Sequence, residues 1–426
     1  MPSSGASSMV GIRWWHSPAL LVVFFVIPFF LLIAAATRPV IENAPVLASH
    51  QVYLTGILLL KALFLLGGLA LGAHCTGTVQ PKKVLRLENT SLDFLFWFTF
   101  LAYAIWFGPL LASNPGLILA TLSGATGAMY EVRSTAQNIS GVTTLSQFGI
   151  AYAVVYGIKV FQDREKLPRR YTIMLAVILG LGLFRAATFS ERIAIIEVVV
   201  PFFAIYVSSR KPGATPVDFV LKFFPFFLYA VAPLFFALFE YLRSWLNYYA
   251  AIYDTFPHFI ADRFALYYVT SLNNICALIQ LSPNPTFRGE WTLNWLYRFP
   301  IIGSLMPSSS LRGEDVWFSQ FLTIYASPEY NNTTGVLTVA YDWGMVLGMA
   351  LIFVYGALAG LAFASFRSGR GAGRYFYPIF LYSLLEILRI GYIYDGRAIS
   401  AMIGLIIVAL IWYKRSPRVS VGGSVR

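Results

Sequence analysis

About ten long apolar runs, separated by mostly short polar connections, govern what this chain can fold into. They extend from Ala19 to Ala36, Val52 to Ala73, Phe94 to Ala112, Leu145 to Phe161, Tyr171 to Thr188, Ile193 to Val207, Phe219 to Phe239, Val336 to Phe366, Tyr375 to Leu388 and Ala398 to Trp412. A helix of roughly 20 such residues crosses a hydrocarbon core of about 30 Å. With 58% of its residues hydrophobic, 12% charged and a mean hydropathy of +0.68, a water-soluble domain of this length would expose an enormous apolar surface.

The runs are continuous rather than alternating, and in lipid the backbone must satisfy its own hydrogen bonds, so the spans should be helices and not barrel strands. The expected class is all-α: a polytopic bundle of about ten transmembrane helices forming one integral membrane domain over residues 1–426.

Orientation follows from the connections. Lys82, Lys83 and Arg86, then Arg164, Lys166, Arg169 and Arg170, then Arg210 and Lys211, then Arg367, Arg370 and Arg374, then Lys414, Arg415 and Arg418 fall in every second one. The positive-inside rule makes these cytoplasmic, with Arg13, and places both termini inside. The net charge of +12 is then largely a topology signal. Nucleic acid is not implied, because the basic residues form no single face. A cleavable signal peptide, with Arg13 as its n-region and the small residues before Thr37 as its cleavage site, is the lesser alternative, since the apolar run is long for an h-region. Cys75 and Cys276 fall on opposite sides of this topology and cannot pair.

On the outer side every basic residue is arginine, while lysine keeps to the cytoplasmic side or, as Lys61, to a span. The guanidinium fork matches phosphate oxygens bidentately and costs less to dehydrate than ammonium, so the asymmetry points to a phosphate-bearing ligand outside. The candidates are Arg185 and Arg192 around the fifth-to-sixth connection, Arg243 and Arg263 in a long loop, and Arg389 and Arg397 near the end. Arginines at span ends also snorkel or pair locally, as Glu240 with Arg243 and Glu386 with Arg389 could at i,i+3 spacing. In FRAATFSERIAIIEVVVP, Arg185, Glu191 and Arg192 interrupt two spans that would otherwise meet. Asp342, inside the eighth span, invites the same cavity-facing reading.

The long connection, residues 240–334, is expected to lie outside and to be partly helical. Its aromatics, among them Trp245, Tyr268, Trp291, Trp295 and Tyr325, suit a membrane interface and equally suit the apolar faces of sugar rings. Diphosphate clamps beside sugar platforms would fit a lipid-linked glycan. A second outer connection, Asn114 to Thr144, carries LILATLSGATGAMYEV, apolar but broken by glycine, and should be re-entrant or interfacial.

The strong enzyme signatures are missing: the sequence has no GxxxxGK[ST], CxxC, HExxH or GxSxG. Asp163 and Glu165 form an acidic pair, but in a basic cytoplasmic loop where a solvated face is the simpler explanation. Neither a metal site nor a cofactor is expected.

Three stretches carry a family likeness: SERIAIIEVVVP, RFALYYVTSLNN and PEYNNTTGVLTVAYDWGMVLG. They resemble the O-antigen and exopolysaccharide repeat-unit polymerases of bacterial inner membranes, a family similar in layout to the O-antigen ligases. The last stretch is the most specific, with Tyr330, Asn331, Thr334, Asp342 and Gly344 where that family's pattern has them; Asn332 and Trp343 depart from it. The likeness covers roughly the middle and latter half of the chain.

The resemblance implies transfer, on the periplasmic face, of a growing glycan from undecaprenyl diphosphate to the non-reducing end of a lipid-linked repeat unit, without nucleotide or metal. On that reading Arg185, Arg192 and Arg263 hold the leaving diphosphate, with Arg389 and Arg397 in support. Glu314, Asp315 and Glu290 are the candidate bases. Tyr268, Asn274, Tyr325, Tyr330, Asn331 and Thr334 would contact glycan, and Asp342 and Arg243 would support the site. The implied partners are undecaprenyl-diphosphate-linked oligosaccharides, membrane lipids and a chain-length regulator. The rival readings are an O-antigen ligase and a non-enzymatic flippase or exporter of lipid-linked glycan.

Overall fold

The computed structural model describes residues 11–415 except 48, 49, 80, 124, 126, 137, 138, 140, 190, 247, 286, 300, 301, 306 and 307. Its principal helices are α1 (Pro18–Asn43), α2 (Gly56–Thr76), α3 (Thr90–Ser113), α4 (Val142–Gln162), α5 (Arg169–Phe189), α6 (Ile193–Ser208) and α7 (Phe224–Glu240). They continue with α8 (Phe256–Leu281), α9 (Ser308–Tyr325), α10 (Gly335–Ser368), α11 (Gly373–Glu386) and α12 (Gly396–Ile411). Strands among the described residues are limited to β1 (Leu85–Leu87) and β2 (Tyr413–Arg415), antiparallel with Leu85 opposite Arg415.

Among the described residues seven helices are long and apolar enough to cross a membrane: α1 to α5, α8 and α10. An eighth arises if Pro216–Lys222 and α7 form one span, although the two meet at 92°. Pro225, in the first turn of α7, explains that break: it has no N–H to continue the preceding ladder and its ring would clash one turn back, and Phe223 takes the non-helical turn, with φ −110° and ψ 25°. The apolar helices α6 and α12 are shorter, at 16 residues each. The surface is apolar where a water-soluble protein would be polar, with Leu234 71%, Leu410 79% and Val346 87% exposed, while Glu197, Glu240 and Asp342 are buried.

The most extensively packed helix pair is α2 with α10, and it rests on glycine. Gly68 and Gly72 on one helix and Gly356 and Gly360 on the other repeat the small-x-x-x-small spacing that lets helix backbones meet. A Cβ on Gly72 would collide with the Phe353 carbonyl, and one on Gly356 with the Leu69 carbonyl.

The basic connections gather at one end of the bundle. Arg13 pairs with Asp218 at 3.2 Å. Arg374 binds both oxygens of Asp163 at 2.8 Å. Trp14 and Trp15 donate to the carbonyls of Lys222 and Leu221. The β1–β2 ribbon brings residues 85–87 and 413–415 to the same end, so the two ends of the described chain lie together.

The opposite end departs from the sequence expectation in two respects. Residues 240–334, expected to be a partly helical loop, contain in α8 a helix of 26 residues that is apolar enough to span, where no span was expected. Its first half is tied to the end of α7, where Arg263 Nε stands 2.8 Å from Glu240 Oε2. Its second half is tied to the α1–α2 connection, where Asn273 receives the Tyr53 N–H and donates to the Gln51 carbonyl. Cys276, expected in a loop, is instead buried on this helix.

The second departure is in α10, expected as one continuous span. It breaks at Gly344, whose φ of 72° and ψ of 170° belong to a region open chiefly to glycine. The chain doubles back there, so that Gly348 packs against Val339 and Ala340.

Candidate functional site

A cleft of about 820 Å³ opens at this second end. One wall is the start of α12 with the turn before it, Ile390 to Arg397; a second comes from Gly141 to Phe148 at the start of α4. A third runs from Trp291 to Phe299, and Asn331 to Thr333 close the mouth. Arg185 and Glu191 form the floor.

The floor is an ion network built from three helices and the turn between two of them. Glu191 Oε2 accepts from Arg185 Nη2 at 2.5 Å and from Arg397 Nη2 at 2.8 Å. Arg397 Nη1 also reaches Glu197 Oε1 at 3.2 Å, and Tyr392 donates to the other oxygen of that carboxylate at 3.0 Å. Gln147, with its amide turned to suit both neighbours, donates to Glu197 at 2.8 Å and accepts from Arg185 at 3.0 Å. The Arg185 guanidinium lies 4.9 Å from the Trp106 ring centroid. Burial would raise the Glu191 carboxyl, but Arg397 and Arg185 outweigh it and hold the group down at about 2. Two arginines therefore face two glutamates, and an incoming anion must compete with Glu191. Arg397, with 21% of its side chain exposed, is more accessible than Arg185 at 7%.

Arg192 and Arg263 stand in a second network. Arg192 donates to Glu240 Oε1 at 2.6 Å and lies 3.8 Å from the Phe236 ring centroid. Arg263 reaches Glu240, binds Glu329 at 2.5 Å, and donates to the hydroxyls of Tyr249 at 3.0 Å and Tyr330 at 3.2 Å. Glu240 is fully buried and thus compensated from two helices. These contacts tie the segment after α7 and the turn before α10 to α8, and neither arginine lines the cleft. Arg389 pairs with Glu386 at 2.7 Å, the i,i+3 partner expected from sequence. Glu240 takes these longer-range partners; the side chain of Arg243, its i,i+3 candidate, lies outside the described residues, as do those of Glu314 and Asp315.

The candidate glycan residues also divide. Asn331 lines the cleft. Tyr325 is exposed on α9. Tyr268 is buried between Phe29, Tyr229 and Phe264. Asn274 spends its amide on the carbonyls of Tyr330 and Asn332, at 2.7 and 3.0 Å. Tyr330 is buried against Arg263. Thr334 caps α10 and donates to the Ile387 carbonyl at 3.0 Å. Those last three shape the turn that presents Asn331. Glu290 is buried, 3.6 Å from Arg288.

Asp342 holds the third wall. Its Oδ2 accepts from the N–H groups of Trp291 at 3.1 Å and Thr292 at 2.6 Å and from the Thr292 hydroxyl at 2.7 Å. Its carbonyl accepts from the Phe287 N–H, and Trp343 Nε1 donates to Thr292.

Sequence reasoning named Trp295 among the aromatics of the long connection but placed neither it nor Arg298 in the site, and did not single out Gln147, Asp395 or the apolar face of α12. Ile399, Ile403 and Ile407 all line the cleft, opposite Leu145 and Phe148. Their i, i+4, i+8 spacing puts them on one helix face, and was the signal available for them. The cleft therefore runs from charged groups at the α12 N-terminus some 15 Å along the helix, at about 1.5 Å per residue.

Among the described residues no group of three His, Cys, Asp or Glu side chains is placed to hold a metal ion. Comparison of the chain with protein-family models, curated proteins and solved structures finds no match.

Proposed function

We propose that this protein is a glycosyltransferase of the bacterial inner membrane that joins undecaprenyl-diphosphate-linked repeat units into a longer glycan on the periplasmic face. The observation that carries the reading is the composition of one cleft: arginines, tryptophans and amides at its mouth and an isoleucine stripe along its length. A ligand that fills it must join an anion and polar rings to a long apolar chain, as a polyprenyl-diphosphate glycan does.

On this reading the end bearing β1, β2, Arg13 and Arg374 is cytoplasmic, both termini are inside, and α6, α11 and α12 also cross, which with α1–α5, α7 and α10 gives ten spans. Helix α8 then lies within the outer half of the bundle, which suits its attachment at both ends to outer connections.

In the transfer, the donor's C1–O bond to phosphate breaks as the acceptor hydroxyl oxygen bonds to C1, and undecaprenyl diphosphate leaves. Arg397 and Arg298, with Arg185 behind them, stabilise the departing negative charge as the sugar gains oxocarbenium character. The hydroxyl proton goes to a carboxylate. Glu191 is too weak a base, being held at about 2. Asp395 lines the mouth and is exposed, so it is the better acceptor. Glu290 does not line the cleft.

The test is incubation of purified protein, in detergent with chelator, with lipid-linked repeat units from its own host. A ladder of longer glycans, lost in Arg397→Ala and Arg298→Ala, supports the reading. Glycan appearing instead on added lipid A core would make the protein a ligase. Substrate crossing a vesicle bilayer without elongation would make it a flippase.

A further inference from the structure

Resting on that function, we propose that the Trp291–Arg298 wall is a saccharide subsite for the acceptor's terminal sugar, and that Asp342 is the positioning residue that fastens it. Two observations support this.

The first is the wall's chemistry. Trp291 and Trp295 line the cleft with Asn294, and Asn331 and Asn332 face it from the turn before α10. Indole faces pack the apolar faces of pyranose rings, and amides offer both donors and acceptors to hydroxyls. Trp291 is braced from behind, its ring edge-on to Phe318 at 4.8 Å and to Tyr341 at 6.0 Å. Trp295 sits beside Gly396, the first residue of α12, with its Cβ 3.8 Å from where a glycine side chain would begin. The platform therefore stands next to Arg397, where the reaction places the diphosphate.

The second is how the wall is held. It is a non-regular segment with one short helix, Asn294–Tyr297, held internally by turn hydrogen bonds such as Leu293 N–H to the Gly289 carbonyl and Arg298 N–H to the Asn294 carbonyl. Asp342 fastens this segment to α10: a fully buried carboxylate takes two backbone N–H groups and a hydroxyl of the wall. The break at Gly344 lets this happen, since Phe287 and Pro285 pack over the position that a side chain there would enter. Asp342 touches neither reacting group and acts only through the segment it carries.

Three variants test this: Asp342→Asn, Trp295→Ala and Trp295→Phe. Asparagine keeps the size of the carboxylate but loses charge-assisted bonds, so cleavage by trypsin after Arg298 should speed up about tenfold. The same variant should raise the KM for the lipid-linked acceptor about tenfold with kcat within about twofold, the pattern of lost binding rather than lost chemistry. Trp295→Ala should raise the acceptor KM similarly, and Trp295→Phe should restore most of it. Unchanged trypsin cleavage in Asp342→Asn overturns the positioning role. A fall in kcat at constant KM overturns the saccharide subsite. If the wild type makes no ladder and transfers no glycan, the function and the subsite fall together, while the trypsin arm still decides whether Asp342 fastens the wall.

Discussion

Glu191 and Arg397 are 206 positions apart in sequence, yet a single carboxylate oxygen of Glu191, 2.8 Å from Arg397 Nη2, also holds Arg185 at 2.5 Å. This carboxylate occupies the place between two guanidinium groups that an anionic ligand would take. Its acidity makes it a source of pH-dependent stability. The folded state holds Glu191 at about 2, below its ordinary value of 4.5, so the unfolded chain binds more protons in between. Stability from this pair is fully present above about pH 4.5 and is lost as pH falls toward 2. The thermal midpoint in detergent should drop over that window, and Glu191→Gln should flatten the drop; an identical acid slope in the variant would remove Glu191 as its source.

The two arginine networks should respond differently to truncation. Removing Arg263 leaves Glu240 fully buried with only part of its compensation, a change that costs about 3–5 kcal/mol. Arg263→Ala should therefore lower the thermal midpoint sharply and reduce folded yield. Arg298 is exposed at the cleft mouth, so its truncation strands no fully buried charge and costs much less than that of Arg263. Arg298→Ala should fold normally and lose glycan elongation. Thermal unfolding and the ladder assay on the same preparations separate the two effects.

Much of this architecture was legible in sequence, and the losses have physical causes. Hydropathy located six of the seven long apolar helices among the described residues, α1 to α5 and α10, because burial in lipid requires long unbroken apolar runs. It was blind to the path of α8, whose apolar side chains serve equally well across a bundle end or through a membrane. Composition identified Arg185 and Arg397 as anion candidates, but no local rule tells which arginine meets which carboxylate across 48 or 66 residues, as in Arg192 with Glu240 and Arg263 with Glu329. Asp342 was noticed for its depth, whereas its partners at 291 and 292 were set by a reversal at Gly344 that the Asp-Trp-Gly triplet only hints at.

The α2–α10 contact gives a stability test independent of function. Gly356 meets the Leu69 backbone directly, and backbone cannot yield as a side-chain tip can. Overpacking of this kind costs about 1–3 kcal/mol, occasionally more. Gly356→Val should lower the thermal midpoint in detergent, while Gly180→Val, at a position with open space for a Cβ, should change it much less. Equal midpoints for the two variants would mean that the helices can separate without cost.

The isoleucine stripe offers the sharpest test of what enters the cleft. Ile403 lies midway along it, between Ile399 and Ile407 and across from Leu145 and Phe148. A tryptophan there fills space without adding charge, so the ion network at the helix start should survive. If an apolar chain lies in this groove, Ile403→Trp should impair elongation of authentic undecaprenyl-linked units. It should impair a substrate whose prenyl chain is too short to pass the bulge much less, because each buried methylene contributes about 0.8 kcal/mol only where it has room to lie. Ratios of kcat/KM for long and short chains, in wild type and variant, read this directly: a ratio that falls about tenfold or more places the tail along α12, and an unchanged ratio places it elsewhere.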